Sequence, residues 1–149
     1  MSQNSITLHR VLKTTPEKVY RAFTEAHALS WWLPPYGFLG VIHEMDVRVG
    51  GSYRMSFINF STGNEQFFGG KFLELKPGEF LKYTDVFDDP NLPGEMTTTV
   101  WLNKVSCGTE LKVTQEGIPS VIPTEMCYLG WQESLEKLAK LVEPEIPDA

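Results

Sequence analysis

Residues 123–142 read PTEMCYLGWQESLEKLAKLV, and this stretch decides the fold. Trp131, Leu135, Leu138 and Val142 recur at +4, +7 and +11, which is one face of a helix. Tyr128, Leu129 and Leu141 are expected to widen that stripe. Glu133–Lys137 and Glu136–Lys140 are i,i+4 pairs with Glu first, the favourable order. Pro144 stops the helix, and 145–149 is expected to fray. A helix of this length with one apolar face needs a large surface to cover it.

The chain before it supplies that surface. From Phe38 onward, segments rich in Val, Phe, Tyr and Thr are separated by turn signals at Gly50-Gly51, Ser61 to Asn64, Lys76-Pro77-Gly78 and Asp88 to Gly94. The spacing predicts successive antiparallel hairpins, with strands near 39–48, 52–59, 66–75, 80–88, 96–103 and 109–116 and a loop over 104–108. Upstream, Ile6 to Lys13 alternates as a strand. Thr15 then caps a helix with Pro16 at its first position, and Val19, Ala22, Phe23 and Ala26 form its apolar face. A second short helix is predicted over 27–32, ended by Pro34-Pro35. Strand, two short helices, a run of strands and a long helix make an α+β domain. If the sheet curls around the last helix, a space remains between them.

Length and charge narrow the function. The 149 residues fit one domain, 1–149, with an ordered core over about 6–142. Such a chain buries roughly 69% of its unfolded surface, enough for a real core. A net charge of −6 with no basic block disfavours nucleic acid and anionic membrane surfaces as partners. No apolar run is long enough to insert in a membrane, and 1–10 has no apolar signal segment. Cys107 and Cys127 are too few for a disulfide framework and fit a reducing cytoplasm. His9, His27 and His43 are scattered, and no pair has metal-ligand spacing, so neither a metal nor a cofactor is expected.

Several motifs carry a resemblance. Trp31-Trp32-Leu33-Pro34-Pro35-Tyr36-Gly37-Phe38 is followed by Asp46-Val47-Arg48-Val49-Gly50-Gly51-Ser52-Tyr53. Gly70 to Pro77 with Glu79 to Thr84 forms a third element. Gly117-Ile118-Pro119 and Gly130-Trp131 complete the series. In this order they resemble bacterial proteins similar to the C-terminal domain of the activator of the heat-shock-protein-90 ATPase. That family lies in the START-like superfamily, also called the polyketide cyclase/dehydrase and lipid-transport superfamily. The resemblance runs from about Ile6 to Val142. It implies a helix-grip fold: a curved antiparallel sheet gripping a long C-terminal helix, with a cavity between. It leaves function open, because superfamily members bind hydrophobic molecules, cyclise polyketides or assist a chaperone.

The residues suggest where a cavity would lie. Leu81, Tyr83, Asp85 and Phe87 share one strand face by alternation, and Lys82 marks the other as solvated. Asp85 therefore sits among apolar neighbours, where a carboxylate is costly unless hydrogen-bonded. Three roles stay open for it: a structural bond, an anchor for a ligand, or a catalytic acid or base. Many members of that family carry an aromatic there, so Asp85 implies a cavity with a polar point. Tyr53, Met55 and Phe57 alternate toward the same side. Trp32, Phe38, Tyr128 and Trp131 complete the expected lining. Trp31 and Trp32 are adjacent, so one packs inward and the other outward. Pro34 to Phe38 is placed as a lid, and Gly69-Gly70 as the site of a bulge. Asp46, Arg48 and Gly50-Gly51 read as a tight turn with a salt link.

The expected function is a cytoplasmic protein that binds a hydrophobic small molecule. The alternatives are a cyclase/dehydratase-type enzyme using Asp85 and a chaperone-associated factor. A hydrophobic mouth and an unpaired edge strand are compatible with a homodimer through an isologous face.

Overall fold

A computed structural model describes residues 4–148; residues 1–3 and 149 of the expected domain lie outside it. The first strand, β1 (Ile6–Leu12), turns Ile6, Leu8 and Leu12 inward. Two short helices follow, α1 (Pro16–Thr24) and α2 (Ala26–Trp32). The Thr15 hydroxyl accepts from the Lys18 amide at 3.3 Å, which caps α1. The chain then runs through β2 (Phe38–Met45), β3 (Ser52–Asn59), β4 (Glu65–Lys76), β5 (Phe80–Phe87), β6 (Met96–Val105) and β7 (Gly108–Glu116). The last element is α3 (Thr124–Val142).

The seven strands form one antiparallel sheet in the order β1-β7-β6-β5-β4-β3-β2. Strands β2 to β7 are a meander. The first two strands in sequence are thus the two outer edges, and α1 and α2 carry the chain between them. With α3 in its grip the sheet makes a helix-grip fold. Trp131, Ser134, Leu135, Leu138, Ala139 and Val142 are the buried face of α3. Arg10 of β1 reaches Glu136 of α3 at 3.1 Å. Among the described residues no helix is long and apolar enough to cross a membrane.

The differences from the sequence reading are local. The expected loop over 104–108 is a tight hairpin, with Val105 paired to Gly108. The strand predicted to reach 48 ends at Met45, after a bulge between Ile42 and Glu44. Beyond it the Asp46 carbonyl accepts from the Arg48 amide at 3.0 Å, and the Arg48 carbonyl from the Gly51 amide at 2.8 Å. Arg48 Nε also meets Asp46 Oδ2 at 2.7 Å, so this motif is a structural turn. Gly50 has φ of 84°, which suits glycine. The bulge expected at Gly69-Gly70 falls between Phe72 and Glu74. Tyr128, Leu129 and Leu141 do not widen the buried stripe of α3; all three are exposed. No residue in the first seven of α3 is buried.

Candidate functional site

Alternation along β5 turns Leu81, Tyr83 and Asp85 to the concave side and leaves Val86 exposed. Asp85 is only 6% exposed. Its position depends on an interruption in the neighbouring ladder. β4 pairs with β5 at Phe68–Phe87 and Gly69–Val86, and pairing resumes at Phe72–Tyr83. Between these, Gly70 lies so close to β5 that a Cβ there would sit 1.8 Å from the Thr84 carbonyl oxygen. The Lys71 amide donates to Thr84 Oγ1 at 2.9 Å instead of to a ladder carbonyl. The Thr84 carbonyl is left to accept the Tyr53 hydroxyl at 2.8 Å.

Tyr53 stands on β3, directly paired with Gly70. With no side chain on Gly70, the tyrosine ring reaches across β4 to β5. Its single O–H is shared between the Thr84 carbonyl and Asp85 Oδ1. Thr98 of β6 donates to Asp85 Oδ2 at 3.0 Å. Gln115 Nε2 of β7 donates to Thr98 Oγ1 at 3.3 Å, and Trp131 Nε1 of α3 donates to Gln115 Oε1 at 3.3 Å. The relay crosses α3, β7, β6 and β5, and every donor in it points toward the carboxylate. Among the described residues no buried side-chain polar atom lacks a partner.

Burial pushes the Asp85 carboxyl up to about 6, while hydrogen bonds from Tyr53 and Thr98, with the Gln115 amide beside them, act in the opposite direction. Burial, with the Asp85 charge adding to it, also holds the Tyr53 and Tyr83 hydroxyls well above the ordinary tyrosine range.

Two spaces meet at Asp85. The larger, of about 170 Å³, lies between the sheet and the first half of α3. Phe57, Phe68, Tyr83, Asp85, Phe87, Met96 and Gln115 line it from the sheet. Cys127, Gly130, Trp131 and Ser134 line it from α3, and Leu33 and Pro35 from the segment after α2. A smaller pocket of about 20 Å³ is bounded by Phe23, Leu29, Leu33, Tyr53, Met55, Phe72, Tyr83 and Asp85. Among the described residues no Lys, Arg or His lines either space. Among the described residues no group of three His, Cys, Asp or Glu side chains is placed to hold a metal.

Of the residues proposed from sequence, Phe57, Tyr83, Asp85, Phe87 and Trp131 line the larger space. Tyr53 and Met55 line the smaller one. Trp32 lines neither space. It is fully buried, stacks edge-on against Phe23 with centroids 4.8 Å apart, and donates Nε1–H to the Ala22 carbonyl at 2.8 Å. Its neighbour Trp31 faces outward. Phe38 also stays outside, exposed on β2 and packed on Phe57. Tyr128 is exposed on the outer side of the first half of α3. The segment expected to be a lid is strapped to α3. Ser134 Oγ donates to the Leu33 carbonyl at 2.5 Å, Lys137 Nζ to the Pro34 carbonyl at 2.9 Å, and the Tyr36 amide to Glu133 Oε1 at 3.1 Å.

Thr98, Gln115 and Ser134 were not anticipated. Gln115 was within reach of sequence reasoning, since Thr109, Leu111, Val113 and Gln115 alternate inward along β7. Thr98 sits in a run of three threonines, which gives alternation no polarity contrast.

Comparison with known proteins agrees with this architecture. A family model described as "Activator of Hsp90 ATPase homolog 1-like protein" matches residues 13–143. A crystal structure of a Chromobacterium violaceum protein is 57% identical, covers 95% of this chain and 99% of its own, and superposes with a TM-score of 0.94. The AHSA1 protein of Silicibacter pomeroyi is 21% identical over 91% of this chain and 95% of its own, with a TM-score of 0.80. The AHSA1-like protein of Aeromonas hydrophila is 17% identical over 91% of this chain and 90% of its own, with a TM-score of 0.74. At those identities the last two share the fold. No curated protein matches the chain.

Proposed function

Since the chain belongs to the family of Activator of Hsp90 ATPase homolog 1-like proteins, we propose that it binds one small, mainly apolar molecule between the sheet and α3. The observation that carries this reading is the space of about 170 Å³, walled by aromatic rings and Met96 with the Asp85 carboxylate as its polar point. Binding sites of this kind are mostly apolar with a few placed polar groups. The free cysteines Cys107 and Cys127 support a reducing compartment, the cytoplasm. The test is an NMR titration with toluene, together with native mass spectrometry of protein purified from its own host. Toluene is expected to shift the Trp131 indole N–H and Met96 methyl signals, and a retained small mass is expected in the spectrum. If saturating toluene leaves those signals unmoved and no mass is retained, the cavity is not a binding site.

Asp85 itself favours a second reading. A carboxyl that titrates near neutrality at a cavity wall suits proton transfer, as in a cyclase/dehydratase-type enzyme. On that reading Asp85→Asn keeps the fold and abolishes turnover of a substrate that the wild type converts. Asn variants with wild-type turnover would remove it. The chaperone-associated alternative draws on the family description alone and needs an exposed protein-binding face rather than a cavity.

A further inference from the structure

We propose that the occupant of the larger cavity is a cation: an amine on a body of about one ring, whose ammonium group pairs with Asp85. The proposal rests on the cavity reading above and adds the chemical class of the ligand.

Size sets the body. A space of about 170 Å³ is close to the ~150 Å³ apolar cavity that accommodates benzene. One aromatic ring with a short arm fills it.

Charge sets the head group. An ionised carboxylate offers about four acceptor positions. Tyr53 fills one on Oδ1 and Thr98 fills one on Oδ2. Both partners are neutral, and among the described residues no cationic side chain lines the cavity. The carboxylate lost its hydration when the chain folded. A ligand ammonium therefore bears only its own desolvation, and it meets a full negative charge in a low-dielectric site. Phe57, Phe68, Phe87 and Trp131 line the same space, and an aromatic ring attracts a cation placed over its face.

The direction of the hydrogen bonds excludes the opposite choice. Thr98 O–H is spent on Asp85, one Gln115 N–H on Thr98, and Trp131 N–H on Gln115. A carboxylate ligand would find only the second Gln115 N–H uncommitted among them and would face the like charge of Asp85. The other groups that titrate around Asp85 are the Tyr53 and Tyr83 hydroxyls and, from α3, the Cys127 thiol. Burial pushes all three up, so they stay neutral near pH 7.

The experiment compares three matched probes by calorimetry: 2-phenylethylamine, 2-phenylethanol and phenylacetate, near neutral pH. The amine is expected to bind roughly tenfold or more tighter than the alcohol, the scale of a charge-assisted hydrogen bond, with phenylacetate weakest. Amine affinity should fall on acidification through about 6, where Asp85 protonates, while alcohol affinity stays flat. In Asp85→Asn the amine and the alcohol should bind alike. Alcohol or phenylacetate binding the wild type as tightly as the amine overturns the cation proposal and leaves the cavity reading standing. Failure of all three probes, together with toluene, overturns both. If Asp85→Asn does not fold, the wild-type order of the probes and its pH dependence still decide the question.

Discussion

Asp85 is where physical cost and chemical opportunity coincide. Its carboxyl titrates at about 6 in the folded protein against 3.8 for the free side chain. The folded state therefore holds this proton more tightly than the unfolded chain. The stability that follows is complete below about 3.8 and is lost as pH rises through about 6, a loss on the order of 3 kcal/mol. We expect the stability of wild type relative to Asp85→Asn to fall by about that amount between roughly pH 3.5 and pH 7.5, read from urea titrations at each pH. A difference that stays constant with pH would show that Asp85 titrates normally. The sequence made this residue legible because alternation and one outward lysine fixed the face of its strand. Its partners were only half legible. The ring of Tyr53 comes from two strands away, and that contact exists only because Gly70 leaves it room.

At the scale of elements, every strand and helix could be read from periodicity and turn chemistry, and the misplacements share a cause. The bulges after Ile42 and Phe72, the tight 105–108 hairpin and the exposed first turns of α3 depend on how neighbouring elements meet. A local pattern carries none of that information. Trp32 shows the same limit: adjacency puts one of Trp31 and Trp32 inward and Trp32 is expected in the cavity lining, but α1 takes it into the core. β4 is the element most exposed to a single change. A Cβ at Gly70 would overlap the Thr84 carbonyl at 1.8 Å, and backbone cannot swing aside as a flexible side chain would. Gly70→Ala is expected to cost more than about 2 kcal/mol in denaturant titration. It should also withdraw the Tyr53 hydroxyl from Asp85, visible as an upward move of the Asp85 titration by NMR. A cost below about 0.5 kcal/mol would mean that the two strands are not in close contact there.

For the molecule as a whole, the cavity sets stability against occupancy. Gly130 lies inside α3, where glycine costs about 1 kcal/mol relative to alanine. It lines the cavity, and a Cβ there would meet nothing within 4 Å. Gly130→Ala should thus stabilise the protein by about 1 kcal/mol in thermal or urea unfolding. It should weaken binding of a ring-sized probe by narrowing the space. If the variant is more stable and binds toluene as well as the wild type, the cavity opens elsewhere along α3. The family and the helix-grip architecture were legible from the order of motifs. The volume left between sheet and helix was not, because it is set by how far α3 stands from the sheet.

The two outer strands of the sheet are consecutive in sequence, and this has a consequence for the order of events during folding. The meander from β2 to β7 assembles from neighbouring hairpins, each closing a short loop. β1 leaves a ribosome first, yet its partner β7 begins about 100 residues later. Closing so long a loop is entropically late. Strand β1 must therefore wait, with Ile6, Leu8 and Leu12 unburied, until β7 has been made. Leu8→Ala is expected to speed unfolding and leave the refolding rate almost unchanged in stopped-flow chevrons, the signature of a contact made after the transition state. A matching slowdown in refolding would instead place β1 in the nucleus.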